Sequence, residues 1–315
     1  MISLIQLEYI VALDNYRNFV LAAEKCFVTQ PTLSMQVKKL EDDLGVKVFD
    51  RSKQPVVPTD AGTLVLEQAR KILFESGRLK EIVDQFKGDV SGELRMGIIP
   101  TLAPYLLPLF AGNFHRKYPL VNLQFEELLT DQIIDRLKTD QLDAGIFVTP
   151  VFDQAIIELP VFYEELLGFA HPEHPLLLQR NVKLKDLAMH NVWLLSDGHC
   201  FRNQVINLCS ASKNTQHSLP FEFESGSLET LMRLINREGG FTIIPELAVM
   251  EQSNINPQQT FHFSDSVPVR EISVCYSRHF AKRRLIQLLS DEIVASVPVI
   301  MLDKTRGELV NWKTT

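Results

Sequence analysis

Residues 22–62, AAEKCFVTQPTLSMQVKKLEDDLGVKVFDRSKQPVVPTDAG, decide how the rest of the chain is read. Phe19, Ala22, Ala23 and Cys26 recur at helical spacing, so a short helix is expected over 19–26. A tight turn follows near Phe27-Val28. Thr29 then stands as a capping residue. Pro31 falls in the first turn of a second helix, where its missing N–H costs nothing. Leu33, Val37 and Leu40 form the apolar stripe of that helix, and Gly45 ends it or the short element after it. Upstream, Leu4, Leu7, Ile10 and Val11 mark a further helix. Helix, tight turn and helix in this order is helix-turn-helix organisation.

The second helix offers Gln30, Thr32, Ser34, Gln36 and Lys38 on its outer side, short polar groups and a lysine suited to base edges and phosphates. Val46 to Thr59 reads as a two-stranded wing presenting Lys47, Arg51 and Lys53 to a phosphate backbone. A small solvated helical domain with a hairpin fits the same residues, because helix-turn-helix spacing alone is a weak signal.

The matching pieces go further than spacing. Ala22-Ala23, Gln30-Pro31, Leu33-Ser34-x-Gln36, Leu40-Glu41, Leu44-Gly45, Phe49-x-Arg51 and Thr59-x-Ala61-Gly62 stand in register. With them the stretch resembles the winged helix-turn-helix of LysR-type transcriptional regulators. The resemblance implies a DNA-binding domain over 1–58 and double-stranded promoter DNA as a partner. The implied contacts are Thr29, Gln30, Pro31, Thr32, Ser34, Gln36, Lys38, Arg51 and Lys53. Members often carry Arg where this chain has Met35, which implies a changed base preference.

Downstream, Val65, Ala69, Ile72, Ser76, Leu79, Val83 and Phe86 alternate at spacings of four and three, a heptad seam. Residues 59–90 therefore read as a dimerising linker helix ending in a hinge at GDVSG, residues 88–92. A palindrome reader needs such a two-fold partner. Packing of the helix on its own domain is the alternative.

From Glu93 strands and helices alternate, which predicts a mostly parallel sheet with helices on both faces. Strands are expected at 94–99, 121–126, 144–148, 161–169, 192–195, 221–223, 242–244 and 270–277. Helices are expected at 105–116, 131–139, 201–211, 227–237 and 282–296. The chain builds one α/β unit, then another, then returns. That fits a regulatory domain over 91–300 with subdomain I at 91–162 plus 268–300 and subdomain II at 163–267. The resemblance likens it to periplasmic ligand-binding proteins. The expected fold class is thus multidomain, α plus α/β. Residues 301–315 form a tail outside the resemblance. Thr101 and Thr130 each follow a strand and precede a helix, where ligands of open α/β sheets bind, though plain N-capping explains them equally.

Cys200 lies in SDGHCFRNQ, residues 196–204, at or just before an expected helix N-terminus. Three features favour a reactive thiolate there: the partial positive charge of the helix end, flanking His199 and Arg202, and a turn that leaves the sulfur partly exposed. Asp197 opposes them unless it caps the helix. Cys209 follows nine residues on. In a helix that places the two residues on opposite faces and roughly 13 Å apart, beyond the about 7 Å that a disulfide tolerates. Two unrelated buried cysteines, or a pair that bonds only when the helix unwinds, fit this spacing equally.

Gly198-His199-Cys200-x-Arg202-x-Gln204 with Cys209 resembles the redox centre of the OxyR-type branch of the same family. Ile99-Pro100-Thr101, Pro104 to Pro108 and Ser227 to Leu231 match as well. The resemblance implies Cys200 as peroxidatic and Cys209 as resolving cysteine, with Thr101, Thr130, His199 and Arg270 lining a hydrogen peroxide pocket. It also implies a tetramer through linker helices and regulatory domains, RNA polymerase as a partner and a cellular disulfide reductant. No cofactor and no metal are implied. Asn203 stands where many relatives carry Asp, and an amide cannot titrate.

Composition bounds these readings. With 315 residues, 45% hydrophobic and 23% charged, the chain has the profile of a globular protein of two or three domains. No apolar run of membrane-spanning length exists, and the first residues lack a basic n-region and a cleavage site. The expectation is therefore cytoplasmic, with no membrane partner. Four cysteines, Cys26, Cys200, Cys209 and Cys275, are too sparse for a disulfide scaffold, and Cys26 and Cys275 read as inert core thiols. The net charge of −7 alone speaks against nucleic acid, yet within residues 1–60 the basic groups cluster at Lys38, Lys39, Lys47, Arg51 and Lys53. The expected function is a peroxide-responsive transcription regulator, not an enzyme. Its rivals are a regulator sensing an organic effector in the cleft and a thiol peroxidase, the latter ill-matched to a DNA-binding half.

Overall fold

The computed structural model describes residues 2–87, 90–190, 192–209, 226–251, 255–278 and 282–312. Its first part comprises α1 (Leu4–Tyr16), α2 (Phe19–Lys25), α3 (Gln30–Leu44), β1 (Phe49–Asp50) and β2 (Val57–Pro58). Ser3 and Gln6 close a capping box on α1, and Asn18 Oδ1 accepts from the N–H groups of Val20 and Leu21 to start α2. The turn before α3 puts Phe27 at φ 56, a left-handed position that lets the chain reverse within a few residues. Thr29 occupies the N-cap of α3 but makes no capping bond; its hydroxyl pairs with that of Thr32 at 2.8 Å. Gly45 ends α3 at φ 71. Leu33, Val37 and Leu40 are buried with Ile10, Leu13, Ala22 and Ala23 in one core.

The wing is an antiparallel pair, Phe49 opposite Pro58. The buried carboxylate of Glu41 fastens it to α3, accepting from the N–H groups of Val48 at 3.0 Å and Phe49 at 3.2 Å. It also holds Lys47 at 3.3 Å and Arg51 at 3.1 Å. The long helix α4 (Asp60–Lys87) begins against this wing. A Cβ on Gly62 would stand 1.9 Å from the carbonyl oxygen of Val48, so only glycine lets α4 approach. Gly62→Ala is expected to lower the stability of this domain by about 1–3 kcal/mol through overpacking. Thermal unfolding checks it, and an unchanged midpoint would contradict the close approach.

The heptad seam of α4 divides in two. Ala69 is buried and Val65 half-buried against the first domain, so these two positions serve the intramolecular core. Further along, Ile72, Leu79 and Val83 are 40%, 66% and 50% exposed.

After α4 come β3 (Ser91–Ile98), α5 (Ala103–Lys117), β4 (Leu120–Glu127), α6 (Thr130–Lys138), β5 (Ala144–Thr149) and the long β6 (Ile156–Ala170). Then follow α7 (Cys200–Leu208), α8 (Leu228–Glu238), β7 (Phe241–Pro245), α9 (Glu246–Glu251), β8 (Thr260–Phe261), β9 (Pro268–Ser277), α10 (Arg283–Ser296) and β10 (Glu308–Leu309). The main sheet runs β4-β3-β5-β9-β6-β7. It is mixed rather than mostly parallel. Among the strands of the described residues, β3 with β4, β3 with β5 and β10 with β9 pair in parallel, whereas β5, β6 and β9 are joined antiparallel. The reason is connectivity: β6 and β9 carry the chain out of the first α/β unit and back, so they run against each other. The strand expected at 192–195 reduces to a single bridge between Val192 and Phe241. The strand expected at 221–223 lies outside the described residues. One core, from Leu94 to Trp312, runs through the whole α/β part. Among the described residues no helix is long and apolar enough to cross a membrane.

Candidate functional site

Cys200 is the first residue of α7, with His199 as an N-cap whose side chain makes no capping bond. Gly198, at φ 91, turns the chain into the helix, and a Cβ there would stand 3.0 Å from Leu129 just before α6. Cys200 is buried in the core, 5% exposed, in place of the partial exposure that the turn residues suggested. Burial is the dominant influence and pushes the thiol up. The Thr130 hydroxyl, the Arg270 charge and the backbone N–H groups of Phe201 and Cys200 itself pull it down. The helix-end contribution expected from the sequence is thus present as two backbone donors.

The flanking residues do not supply charge to the sulfur. His199 is buried, and desolvation lowers its pKa, favouring the neutral imidazole. Arg202 faces away: its Nε pairs with Asp197 at 2.8 Å and its Nη1 donates to the Leu195 carbonyl at 2.8 Å. Asp197 therefore neutralises Arg202 rather than capping α7. The cation that acts on Cys200 is Arg270, from β9.

Arg270 is fully buried and held on three sides. Its Nε donates to Glu164 Oε1 at 2.7 Å, its Nη1 to Thr101 Oγ1 at 3.0 Å and its Nη2 to the Thr101 carbonyl at 3.2 Å. The guanidinium carbon lies 5.2 Å from the Phe201 ring centre. Glu164, on β6, is equally buried; desolvation pushes its carboxyl up and Arg270 opposes that shift. Neither threonine is a helix cap, since Leu102 precedes α5 and Leu129 precedes α6. Thr101 instead fixes Arg270. The buried Thr130 hydroxyl makes no well-formed hydrogen bond among the described residues, and it lowers the Cys200 thiol. Tyr105 Oη and Gln204 Oε1 are likewise buried without a hydrogen-bond partner among the described residues. The structure thus joins Cys200, Thr130, Thr101 and Arg270, from four separate elements. Glu164, Phe201 and Tyr105 were missed in the sequence. For Glu164 the signal was a Glu pair inside the apolar run Val161 to Ala170, while Tyr105 and Phe201 lay in the matching stretches without being singled out.

Cys209 caps the far end of α7 and is buried, its thiol pushed up to about 12 by desolvation. All four cysteines are free thiols. Cys26 is half-buried at the end of α2 and Cys275 lies buried in β9, both raised mainly by burial.

On the helix-turn-helix, Thr29, Gln30, Pro31 and Lys38 are exposed, while Thr32, Ser34 and Gln36 are half-buried. Gln36 accepts from Gln6 at 3.3 Å, which orients its amide. Arg51 is not a free phosphate arm: it clamps Glu41 and covers the Phe19 ring at 5.2 Å. Lys53 lies 3.9 Å from Asp50 and is two-thirds exposed. Met35, 61% exposed, projects from the same helix.

A helix-turn-helix joined by a long helix to an α/β domain with a buried, charge-tuned cysteine is the build of a single-chain transcription regulator. The family model of the bacterial regulatory helix-turn-helix protein, lysR family, matches residues 4–63, and that of the LysR substrate binding domain matches residues 87–297. The chain belongs to the LysR family. It is 34% identical to a hydrogen peroxide-inducible genes activator of Haemophilus influenzae over 91% of this chain and 96% of that protein. It is 39% identical to the DNA-binding transcriptional dual regulator OxyR of Escherichia coli over 77% and 79%. Among solved structures, a full-length OxyR variant from Pseudomonas aeruginosa superposes with a TM-score of 0.77 at 33% identity, covering 94% of this chain and 99% of that one.

Proposed function

We propose that this chain is a hydrogen peroxide-responsive transcription regulator in which Cys200 is the sensing thiol. The observation that carries the reading is the placement of Cys200 against Thr130, Arg270 and the α7 backbone donors in a fold shared with OxyR. The Cys200 thiolate attacks one oxygen of hydrogen peroxide. The O–O bond breaks, water leaves after protonation, and the sulfur becomes a sulfenic acid. Cys209 then attacks that sulfur, a second water leaves, and a disulfide forms; two thiols and one peroxide give one disulfide and two waters. A cellular dithiol reductant returns the pair to thiols. Because the bond cannot span a helical 200–209, oxidation refolds this segment and changes how the helix-turn-helix meets promoter DNA. The exposed Ile72, Leu79 and Val83 give α4 a partner face for a dimer, and regulatory domains pairing again give a tetramer. RNA polymerase then reads the altered complex, in the cytoplasm.

The test is footprinting on promoter DNA with reduced protein, peroxide-treated protein and Cys200→Ser, together with intact mass. A peroxide-treated protein without a Cys200–Cys209 disulfide favours an effector-sensing regulator instead. The pH dependence is a second check. Burial raises the Cys200 thiol, and only the thiolate attacks. The oxidation rate should therefore climb about tenfold per pH unit between about pH 6 and 8. Stopped-flow kinetics reads this; a rate flat across that range means that the thiolate is already formed and contradicts the raised pKa.

A further inference from the structure

The tail beyond α10, which no family match covers, is tied to the helix that carries both cysteines. Met301 is fully buried, and the chain then turns back along β9. Glu308 N donates to the Val267 carbonyl at 2.8 Å and Val310 N to the Val269 carbonyl at 2.9 Å, which adds β10 in parallel to β9. A Cβ on Gly307 would lie 2.2 Å from the Val267 oxygen, so the approach requires glycine. Arg306 pairs with Glu246 at 2.8 Å and donates to the Tyr163 carbonyl at 3.1 Å. Side chains of α7 reach the chain just beyond this strand. Gln204 Nε2 donates to the Val310 carbonyl at 3.3 Å, and Asn207 Nδ2 to the Asn311 carbonyl at 2.7 Å. Trp312, 8% exposed, then anchors the end, its Nε1 donating to the Pro150 carbonyl at 3.1 Å just beyond β5.

Gln204 and Asn207 both lie between Cys200 and Cys209, in the stretch that must unwind for the two sulfurs to meet. Their bonds to the tail are made while α7 is helical and would be disturbed by its unwinding. We propose that residues 306–312 are a strap that holds α7 in the reduced arrangement and sets how readily the cysteines pair. Asn207 and Trp312 are positioning residues in this device and touch no reacting atom. The strap's effect on cysteine pairing rests on the disulfide reading of the function, whereas its hold on α7 does not. Oxidation should loosen the strap, and loosening the strap should ease oxidation.

The test uses the full chain carrying Asn207→Ala with Trp312→Phe, which removes two donors and keeps the buried ring, beside a chain ending at Asp303. In reduced protein, amide exchange across 201–208 should quicken about tenfold in both, the factor expected on losing a pair of net hydrogen bonds. After one equivalent of peroxide, the Cys200–Cys209 disulfide should form several-fold faster than in the unaltered chain. Trypsin should also cut after Lys304 and Arg306 faster in the oxidised than in the reduced unaltered chain. Unchanged exchange over 201–208 overturns the strap whatever the cysteines do. Faster exchange with no Cys200–Cys209 disulfide in any chain supports the hold on α7 and overturns the disulfide reading. Faster exchange with an unaltered pairing rate overturns the coupling between strap and switch.

Discussion

Cys200→Ser should abolish the peroxide response while leaving reduced-state DNA binding intact. Serine is close to cysteine in size, and its hydroxyl can still accept from the N–H groups of Phe201 and Ser at the same position's own backbone, so the seat of α7 is kept. What is lost is the chemistry: a hydroxyl neither ionises near neutral pH nor climbs the thiol oxidation series. The footprint of the peroxide-treated variant should match that of the reduced unaltered protein. Cys209→Ser separates the two steps. It should take up one oxygen at Cys200 and stop there, read as a mass gain of one oxygen and trapping by a sulfenic-acid reagent. Cys275→Ala serves as the control, since this thiol is buried in β9 and raised well above the ordinary range. A Cys200→Ser protein that still changes its footprint with peroxide would sink the assignment of the sensing thiol.

How much of this was legible in the sequence depended on the range of the interactions. α3 was readable because its apolar period, Pro31 and Gly45 are all local signals. The position of Cys200 at a helix start was readable for the same reason. Its burial was not, because the core that encloses it is assembled from segments far apart in the chain, and Thr130, which acts on the thiol, lies seventy residues earlier. His199 and Arg202 looked like the tuning groups by adjacency, yet neighbours along a chain at a helix start point different ways. Arg202 found Asp197, and the effective cation came from β9. The antiparallel joins of β5, β6 and β9 escaped a pattern-based reading because alternation of elements gives the order of strands in the chain and not their direction in the sheet. The seam of α4 has one period for two partners, its own domain and the exposed face, and periodicity cannot tell them apart. The tail carried no pattern, since its contacts with α7 run through its backbone carbonyls to Gln204 and Asn207.

The buried Arg270–Glu164 pair separates stability from reactivity. Glu164→Leu leaves a fully buried guanidinium with Thr101 as its one remaining hydrogen-bond partner among the described residues, and it deprives the N–H of Leu247 of its acceptor. Breaking one side of a buried pair costs about 3–5 kcal/mol, so this variant should show the largest fall in unfolding midpoint of any single change at the site. Arg270→Met fails differently. Glu164, already raised by burial, loses its counter-charge and rises further. A carboxyl whose folded pKa exceeds its unfolded value favours folding when protonated, so this variant should lose stability as pH climbs from the unfolded carboxylate pKa through the raised one. The double change Glu164→Leu with Arg270→Met removes both charges and should recover most of the lost stability, because apolar replacement of a buried pair is often neutral. It should not recover the rate. Cys200 then lacks the Arg270 charge that lowers its thiol, and its oxidation at fixed pH should slow about tenfold for each unit that its pKa rises. Denaturant unfolding and stopped-flow oxidation on the three variants decide the point. A double variant as stable and as fast as the unaltered chain would show that the pair serves neither the fold nor the thiol, whereas stability regained with the rate still lost assigns the pair's function to Cys200.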